Sequence, residues 1–409
     1  MIRTTSLALV AAALAIGGQA AAQEADADKP AASGWSFNPD AGLVYQSGDL
    51  KVTTWGFAER IIDLDGTDSF RRFRQGAEID FPRVTERLRP ALVYEIDLTN
   101  TDFFDNGFGG SEGFGRRDLE NLFLAIQDVD DPGRFRVLIG ENTHILSRDD
   151  NLSSGNLTTI NRSLILEEHG SVNSFGTQFG IQYQQALTNT LTLQLAAMDN
   201  RGSFNQAEPR YEIGNSLSAK LLATPINDAA NGQKLTLGLA VDNTGDIRNR
   251  TFTLATAIAT TPLGGVLATG DKFTWEADAA YTFPLLGRPT TLEGEVMRSE
   301  FSASDSDVAG GYGMIQWSAF DAPEFGDLDV FVRYDLVDLG QDAISDRAVQ
   351  RALRTGVNYN LPYTNKLVSL HLEYAHNTLS GPASIVTGDR SVDEFRIGVR
   401  ISLQRYQRH

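Results

Sequence analysis

Arginine recurs in this chain at spacings that put it on one side of an extended strand: Arg72 with Arg74, Arg134 with Arg136, and Arg396 with Arg400. A guanidinium offers a planar fork of donors that meets two oxygens of a phosphate or carboxylate at once, so arginines gathered on one surface can attract and orient anions. Carboxylates occupy the same kind of positions: Glu78 and Asp80, Glu95 and Asp97, Glu276 and Asp278, Glu293 and Glu295, and Asp329 and Asp335 around Arg333. Arg60, Arg354 and Glu373 join them on other segments. A surface with both signs can set a transverse field across an opening. It can equally pair charge with charge on neighbouring strands and do no more than keep a wall wetted.

Other chemistry finds little footing. The chain has no Cys, which excludes disulfides, thiolate metal sites and a cysteine nucleophile. Its five His (His144, His169, His371, His376 and His409) show no metal-ligand spacing, and His371 and His376 fall on opposite faces of a strand. His144 with Ser147 is the one close base–hydroxyl pair, and it lacks the context of a triad. No nucleophile elbow, phosphate loop or dinucleotide fingerprint is present, so no enzymatic activity, cofactor or metal is expected. The turn Asp63-Leu64-Asp65-Gly66-Thr67-Asp68 has the look of a cation loop, but its Gly comes too early and no Glu closes it, so it reads as an acidic hairpin tip. The clusters Asp128-Val129-Asp130-Asp131 and Asp305-Ser306-Asp307 suit solvated loops or divalent ions shared with lipid phosphates equally well. A formal net charge of -18 argues against a nucleic-acid partner.

The elements that position these residues repeat from Phe70 to Leu403: about ten residues alternating apolar and polar, then a turn rich in Gly, Asp, Asn or Pro. In the last unit Phe395, Ile397, Val399, Ile401 and Leu403 share one parity while Arg396, Gly398, Arg400 and Ser402 share the other. Strand side chains alternate between faces, so one face is oily and the other wet. A soluble sandwich would bury the oily face on a second sheet, whereas in a bilayer it meets lipid and the sheet must close on itself.

The N-terminus decides between these. Arg3, the apolar run Leu7 to Ile16 and the small residues Ala20-Ala21-Ala22 form a signal peptide over 1–22, too short to span a bilayer. The segment 23–41 is Ala, Asp, Gly and Ser rich and reads as a flexible lead-in without heptads, leaving 42–409 as the transmembrane barrel. Seventeen candidate strands lie between 50 and 403. Single-chain bacterial barrels take an even number, so sixteen are expected, with 251–260 the weakest candidate. From Glu141 to Ser171 the alternation stops. A connection that long, carrying Ile145, Leu146, Leu157, Ile160, Leu164 and Ile165, reads as a loop folded inward, with its apolar side on the wall and Arg148, Asp149, Asp150 and Arg162 toward water. An external loop at a subunit contact is the alternative.

The run from Val137 to Leu164, with Gly140-Glu141, Leu146, Ser153-Ser154 and Asn161-Arg162-Ser163-Leu164, resembles the constriction-loop region of the phosphate-selective porin O and P family. Trp275-Glu276-Ala277 to Tyr281, Thr291-Leu292-Glu293-Gly294-Glu295 to Arg298, Val332-Arg333-Tyr334 to Leu339 and Gly356-Val357-Asn358-Tyr359 to Tyr363 resemble strands of that family in the same order. The similarity extends from about Trp55 to Leu403. It implies an all-β, sixteen-stranded antiparallel barrel with a constriction loop, trimeric in the bacterial outer membrane among lipid and lipopolysaccharide, passing small hydrophilic solutes with a preference for phosphate or other anions. Closing the barrel sets the last strand beside the first, so Arg396 and Arg400 are expected near Arg60, with Arg72 and Arg74 one strand further, facing Asp149 and Asp150. Arg333 and Arg354 complete the expected pore-lining set. The chain departs from the family pattern in one respect: the Lys and Arg ladder of a phosphate channel is thin, since only six of 35 basic residues are Lys. Competing readings are a barrel with lipase- or protease-like activity and a purely structural or adhesive barrel.

Overall fold

The computed structural model describes residues 33–38, 42–63, 68–97, 119–152, 157–166, 177–199, 215–253, 262–322, 324–341, 346–362, 364, 367–381 and 391–402. The expected signal peptide 1–22 and the C-terminal residues 403–409 lie outside them, as do the tip 64–67 and most of the lead-in segment. Part of that segment, expected to be without regular structure, forms a strand.

β1 (Gly34–Asn38) and β2 (Gly42–Ser47) make a hairpin. Then follow β3 (Leu50–Asp63), β4 (Asp68–Asp80), β5 (Leu88–Asp97), β6 (Leu119–Asp128), β7 (Phe135–Thr143), the single helical turn α1 (Arg148–Asn151), β8 (Thr177–Ala186) and β9 (Leu191–Met198). The remaining strands are β10 (Ser216–Asp228), β11 (Gln233–Thr253), β12 (Pro262–Leu285), β13 (Arg288–Phe301), β14 (Ser306–Ala322), β15 (Gly326–Gln341), β16 (Asp346–Asn360), β17 (Val368–Ser380) and β18 (Ser391–Ser402). From β3 onward each strand pairs antiparallel with the next, and β18 returns to β3 with Arg396 opposite Asp63 and Ser402 opposite Phe57. The result is a closed barrel of 16 strands. The hairpin extends it: β2 pairs with Leu50–Thr54 of β3, on the edge that β18 leaves uncovered below Phe57. Of the weakest candidate, 251–260, the described residues 251–253 belong to the end of β11. β11 runs to Thr253 and β12 begins at Pro262, and 254–261 lie outside the described residues.

Closure matters because a bilayer offers no partner to an unpaired backbone group. Outside, the exposed positions are apolar: Leu122, Leu124 and Ile126 on β6, Phe273 and Trp275 on β12, Leu292 and Val296 on β13, Val332 and Tyr334 on β15, and Leu372 and Tyr374 on β17. In water a continuous girdle of this kind would be far larger than a soluble monomer tolerates. Short turns join the strands at one end, the tightest being Leu286-Gly287, where both residues have positive φ (54° and 74°), the form that matches strand twist. The longer connections begin at the other end, where β5, β7 and β9 finish at Asp97, Thr143 and Met198.

Two glycines admit close approaches that fix the inner wall. Gly76 lies under the Trp55 ring, where a Cβ would stand 2.5 Å from the indole. Gly140, at φ +138°, faces Leu122, whose carbonyl oxygen a Cβ would approach to 2.3 Å.

Candidate functional site

The inner face is built by the same alternation, and opposite charges on adjacent strands meet there. Arg74 on β4 is held by three carboxylates: Nε to Asp97 at 2.8 Å, Nη1 to Glu95 at 3.3 Å and Nη2 to Glu120 at 2.6 Å. Trp55 Nε1 also donates to Glu95, at 3.4 Å. Further round, Lys220 on β10 bridges Glu276 at 3.1 Å and Asp278 at 2.8 Å, and Lys272 meets Asp242 at 3.2 Å.

The described residues of the connection after β7, 144–152 and 157–166, here called segment 144–166, are hydrogen-bonded to this inner face. Ser147 caps α1 by accepting from the Asp150 N–H at 3.1 Å, and its own hydroxyl donates to Glu295 on β13 at 3.0 Å. Backbone N–H groups of Asp149, Ile160 and Leu164 donate to the carboxylates of Glu295 (3.1 Å), Glu373 (2.8 Å) and Asp335 (3.4 Å). Its carbonyls are met by cations and amides: Arg400 to Leu157 (3.0 Å), Asn358 to Thr158 (2.8 Å), Arg354 to Asn161 (3.2 Å) and Arg162 (3.1 Å), and Lys220 to Leu146. A segment without a ladder of its own must find partners for its buried backbone groups, and here the barrel wall supplies them.

Apolar contacts complete the seat. Leu146, Leu164, Ile165 and Leu166 join one buried cluster with Met297, Phe301, Val308, Val337, Leu339 and Leu379 from the inner faces of β13 to β17. On the other side Ile145 packs with Ala196 and Met198 of β9.

These contacts place the expected residues. Arg333 is 1% exposed, stacks 3.8 Å from the centre of the Tyr312 ring, and reaches Asp335 at 3.1 Å, Asp149 at 3.3 Å and Thr159 at 3.3 Å. Arg354 lies 3.5 Å from Asp335, and Arg400 binds Glu59 at 2.7 Å. Arg333, Arg354 and Arg400 thus grip the 144–166 segment with their charge already matched. Arg396 is on the same face of β18 as Arg400 and pairs with Glu394 at 2.9 Å. The backbone of Arg72 stands opposite Glu59; its side chain lies outside the described residues.

Arg60 is a correction. Its neighbour Glu59 points inward to Arg400, so Arg60, opposite Val399, is on the outer face, away from Arg396 and Arg400. The apolar parity misleads on this one strand because Trp55, Phe57 and Ile61 are buried toward the lumen, with Trp55 clustering with Val93, Phe123 and Leu138. Asp149 and Asp150 also depart from expectation. Neither faces open water: Asp149 is 1% exposed, accepts from the Ser163 N–H at 2.6 Å and meets Arg333, while Asp150 lies 3.9 Å from Arg162. Burial alone would raise the Asp149 carboxyl, yet the Arg333 and Arg162 guanidiniums hold it below the usual carboxylate range. Arg148 lies 3.7 Å from Glu293 and 3.8 Å from Asp278, and Arg162 donates to the carbonyls of Asp149 and Leu152.

The base–hydroxyl pair dissolves on inspection. His144 is fully buried and its Nδ1 accepts from the Leu146 N–H at 3.3 Å, which assigns the proton to Nε2. Nε2 then faces Ser218 at 2.9 Å and Ser216 at 3.3 Å as a donor and has no lone pair with which to activate either. Ser147 is bonded to Glu295 instead. Glu59, Lys220, Asp242 and Lys272 are inner-wall charges not singled out from the sequence. The parity test would have found Lys220, whose neighbours Leu217 and Leu221 are exposed on the outside.

Between segment 144–166 and the short-turn end a cavity of about 730 Å³ remains, with Arg136, Lys234, Gln184, Gln194, Gln316 and Phe123 among its walls.

The comparisons agree with this architecture. No curated protein sequence matches the chain. Among solved structures, outer-membrane OmpT of Vibrio cholerae is 11% identical over 88% of this chain and 99% of its own, with a TM-score of 0.55. The outer-membrane channel DcaP of Acinetobacter baumannii is 13% identical over 87% and 98%, at 0.52, and an anion-selective porin from Comamonas acidovorans is 15% identical over 86% and 99%, at 0.51. At these identities the likeness shows the fold. The model of the phosphate-selective porin O and P family matches residues 66–402, so the chain belongs to that family and is an outer-membrane channel.

Proposed function

We propose that the chain is exported to the bacterial outer membrane, assembles as a homotrimer amid lipid and lipopolysaccharide, and lets small hydrophilic solutes and ions diffuse passively through each protomer. Segment 144–166 sets the width of the path. One observation carries the reading: a closed barrel with an apolar outside and a charged inside, in which that segment is fastened to the wall yet leaves a cavity of about 730 Å³ beside it. The signal-like residues 1–22 support export, and the trimer form of Vibrio cholerae OmpT, a fold relative, supports the assembly.

Preference for anions, on this reading, rests on Arg136 and Lys234, which line the cavity, because Arg74, Arg333, Arg354 and Arg400 are each bonded to carboxylates. Planar-bilayer recording tests both parts. Ohmic conductance steps are expected, and their absence would overturn the channel reading. The pair Arg136→Ala and Lys234→Ala should lower the anion-to-cation permeability ratio about two- to fivefold, the size of a roughly 0.5–1 kcal/mol interaction in water. An unchanged ratio would reject the assignment to these two residues.

A further inference from the structure

Toward the short-turn end amides and hydroxyls join the charged side chains of the lumen. Across adjacent strands Arg136, Gln184, Gln194 and Lys220 stand in one register row. The Gln194 amide donates to Gln184 Oε1 at 2.7 Å, and Gln184 donates on to the Gly133 carbonyl at 2.7 Å. On the facing wall Thr282, Thr291 and Gln316 form a second row, the two hydroxyls 3.1 Å apart. Two of the charges nearby are matched, Lys220 by Asp278 at 2.8 Å and Arg400 by Glu59 at 2.7 Å, while Arg136 and Lys234 also line the cavity. Phe123, Leu138 and Leu157 contribute apolar surface to the same cavity.

Resting on the channel reading above, we propose that this cavity is a weak subsite for a neutral, polyhydroxylated solute of the sugar class. An amide both donates and accepts, as a sugar hydroxyl does, so a row of amides and hydroxyls can satisfy both capacities of each sugar hydroxyl. The chain carries its own example: the Thr158 hydroxyl, reaching in from the segment above, donates to Gln316 Oε1 at 2.8 Å. The apolar patch suits the C–H faces of a sugar ring. At about 730 Å³ the space falls within the range of small-molecule pockets. A permeant must also leave, so the expected affinity is millimolar and spread over several contacts.

The test is single-channel current in potassium chloride with maltose or sucrose added, compared with polyethylene glycol of matched hydrodynamic size. A saturable loss of current beyond that given by the polymer is expected. Gln194→Leu with Gln316→Leu should shift its midpoint to about tenfold higher sugar, since each removes a hydrogen-bonding group from the wall. The variant's conductance in plain salt reports its insertion, and if the pair does not insert, Gln194→Asn, one methylene shorter, should still weaken the block. A sugar effect that matches the polymer and never saturates overturns the subsite and leaves the channel standing. Absence of conductance in the unaltered protein overturns both.

Discussion

Replacing Arg333 with Met keeps most of the side-chain volume and removes one charge from the seat of the 144–166 segment. That guanidinium is 1% exposed and serves Asp149, Asp335, Thr159 and the Tyr312 ring together. Without it Asp149 and Asp335 stay buried with a major partner gone, a loss of about 3–5 kcal/mol when one member of a buried pair is deleted. The barrel strands keep their own ladder, so the cost falls on the segment, whose opening becomes easier by about two to three and a half decades at 1.4 kcal/mol per decade. Amide hydrogen exchange reads this directly. The N–H groups of Ile160, Ser163 and Leu164, now held by Glu373, Asp149 and Asp335, should exchange at least about a hundredfold faster while strand amides are unchanged. Adding Asp149→Asn should restore part of the protection, because the orphaned charge is then gone. Exchange within about threefold of the original in a folded Arg333→Met barrel would refute the idea that this cluster fastens the segment.

The segment should also loosen in acid. Asp149 is held below the usual carboxylate range, so its contribution is complete above the unfolded value of about 3.9 and is lost as the pH falls through the lowered folded value; exchange of the Ser163 amide followed from pH 6 down to pH 2 should show protection persisting below pH 4 before it drops, and a loss centred above pH 5 would contradict this. Gly140→Val places a side chain against the Leu122 carbonyl and Phe123 at φ +138°, and should abolish the compact, heat-modifiable barrel band on semi-native gels. A barrel band of normal yield would show that the β6–β7 approach is not as close as described.

Much of this was legible in residue order. Period-two alternation over β12 to β18 gives the strands and the faces on which Glu276, Glu295, Arg333 and Arg400 sit, because side chains on opposite faces meet lipid or water and little else decides them. Alternation is less informative where the lumen is itself apolar. Trp55 and Phe57 have the parity of a lipid face yet are buried inside, which turned Arg60 the wrong way. Units of about ten residues also undercount two strands, since β11 and β12 span Gln233–Thr253 and Pro262–Leu285 and the candidate at 251–260 begins inside β11. The apolar residues of the 141–171 connection were visible, but not that arginines expected to face solute would be spent on its carbonyls. Such pairings join residues as far apart as Leu157 and Arg400 and depend on closure, which no local pattern encodes.

An empty tube would be a poor folding intermediate for this chain. Met297, Phe301, Val337, Leu339 and Leu379 would look onto water from within, just as the girdle outside would if lipid were stripped away. Leu146, Leu164 and Ile165 relieve that exposure only when the sheet bends around them. β13 to β17 therefore bury these side chains only in the curved form that holds the segment, so the bend of that arc and the filling of its inside stabilise each other.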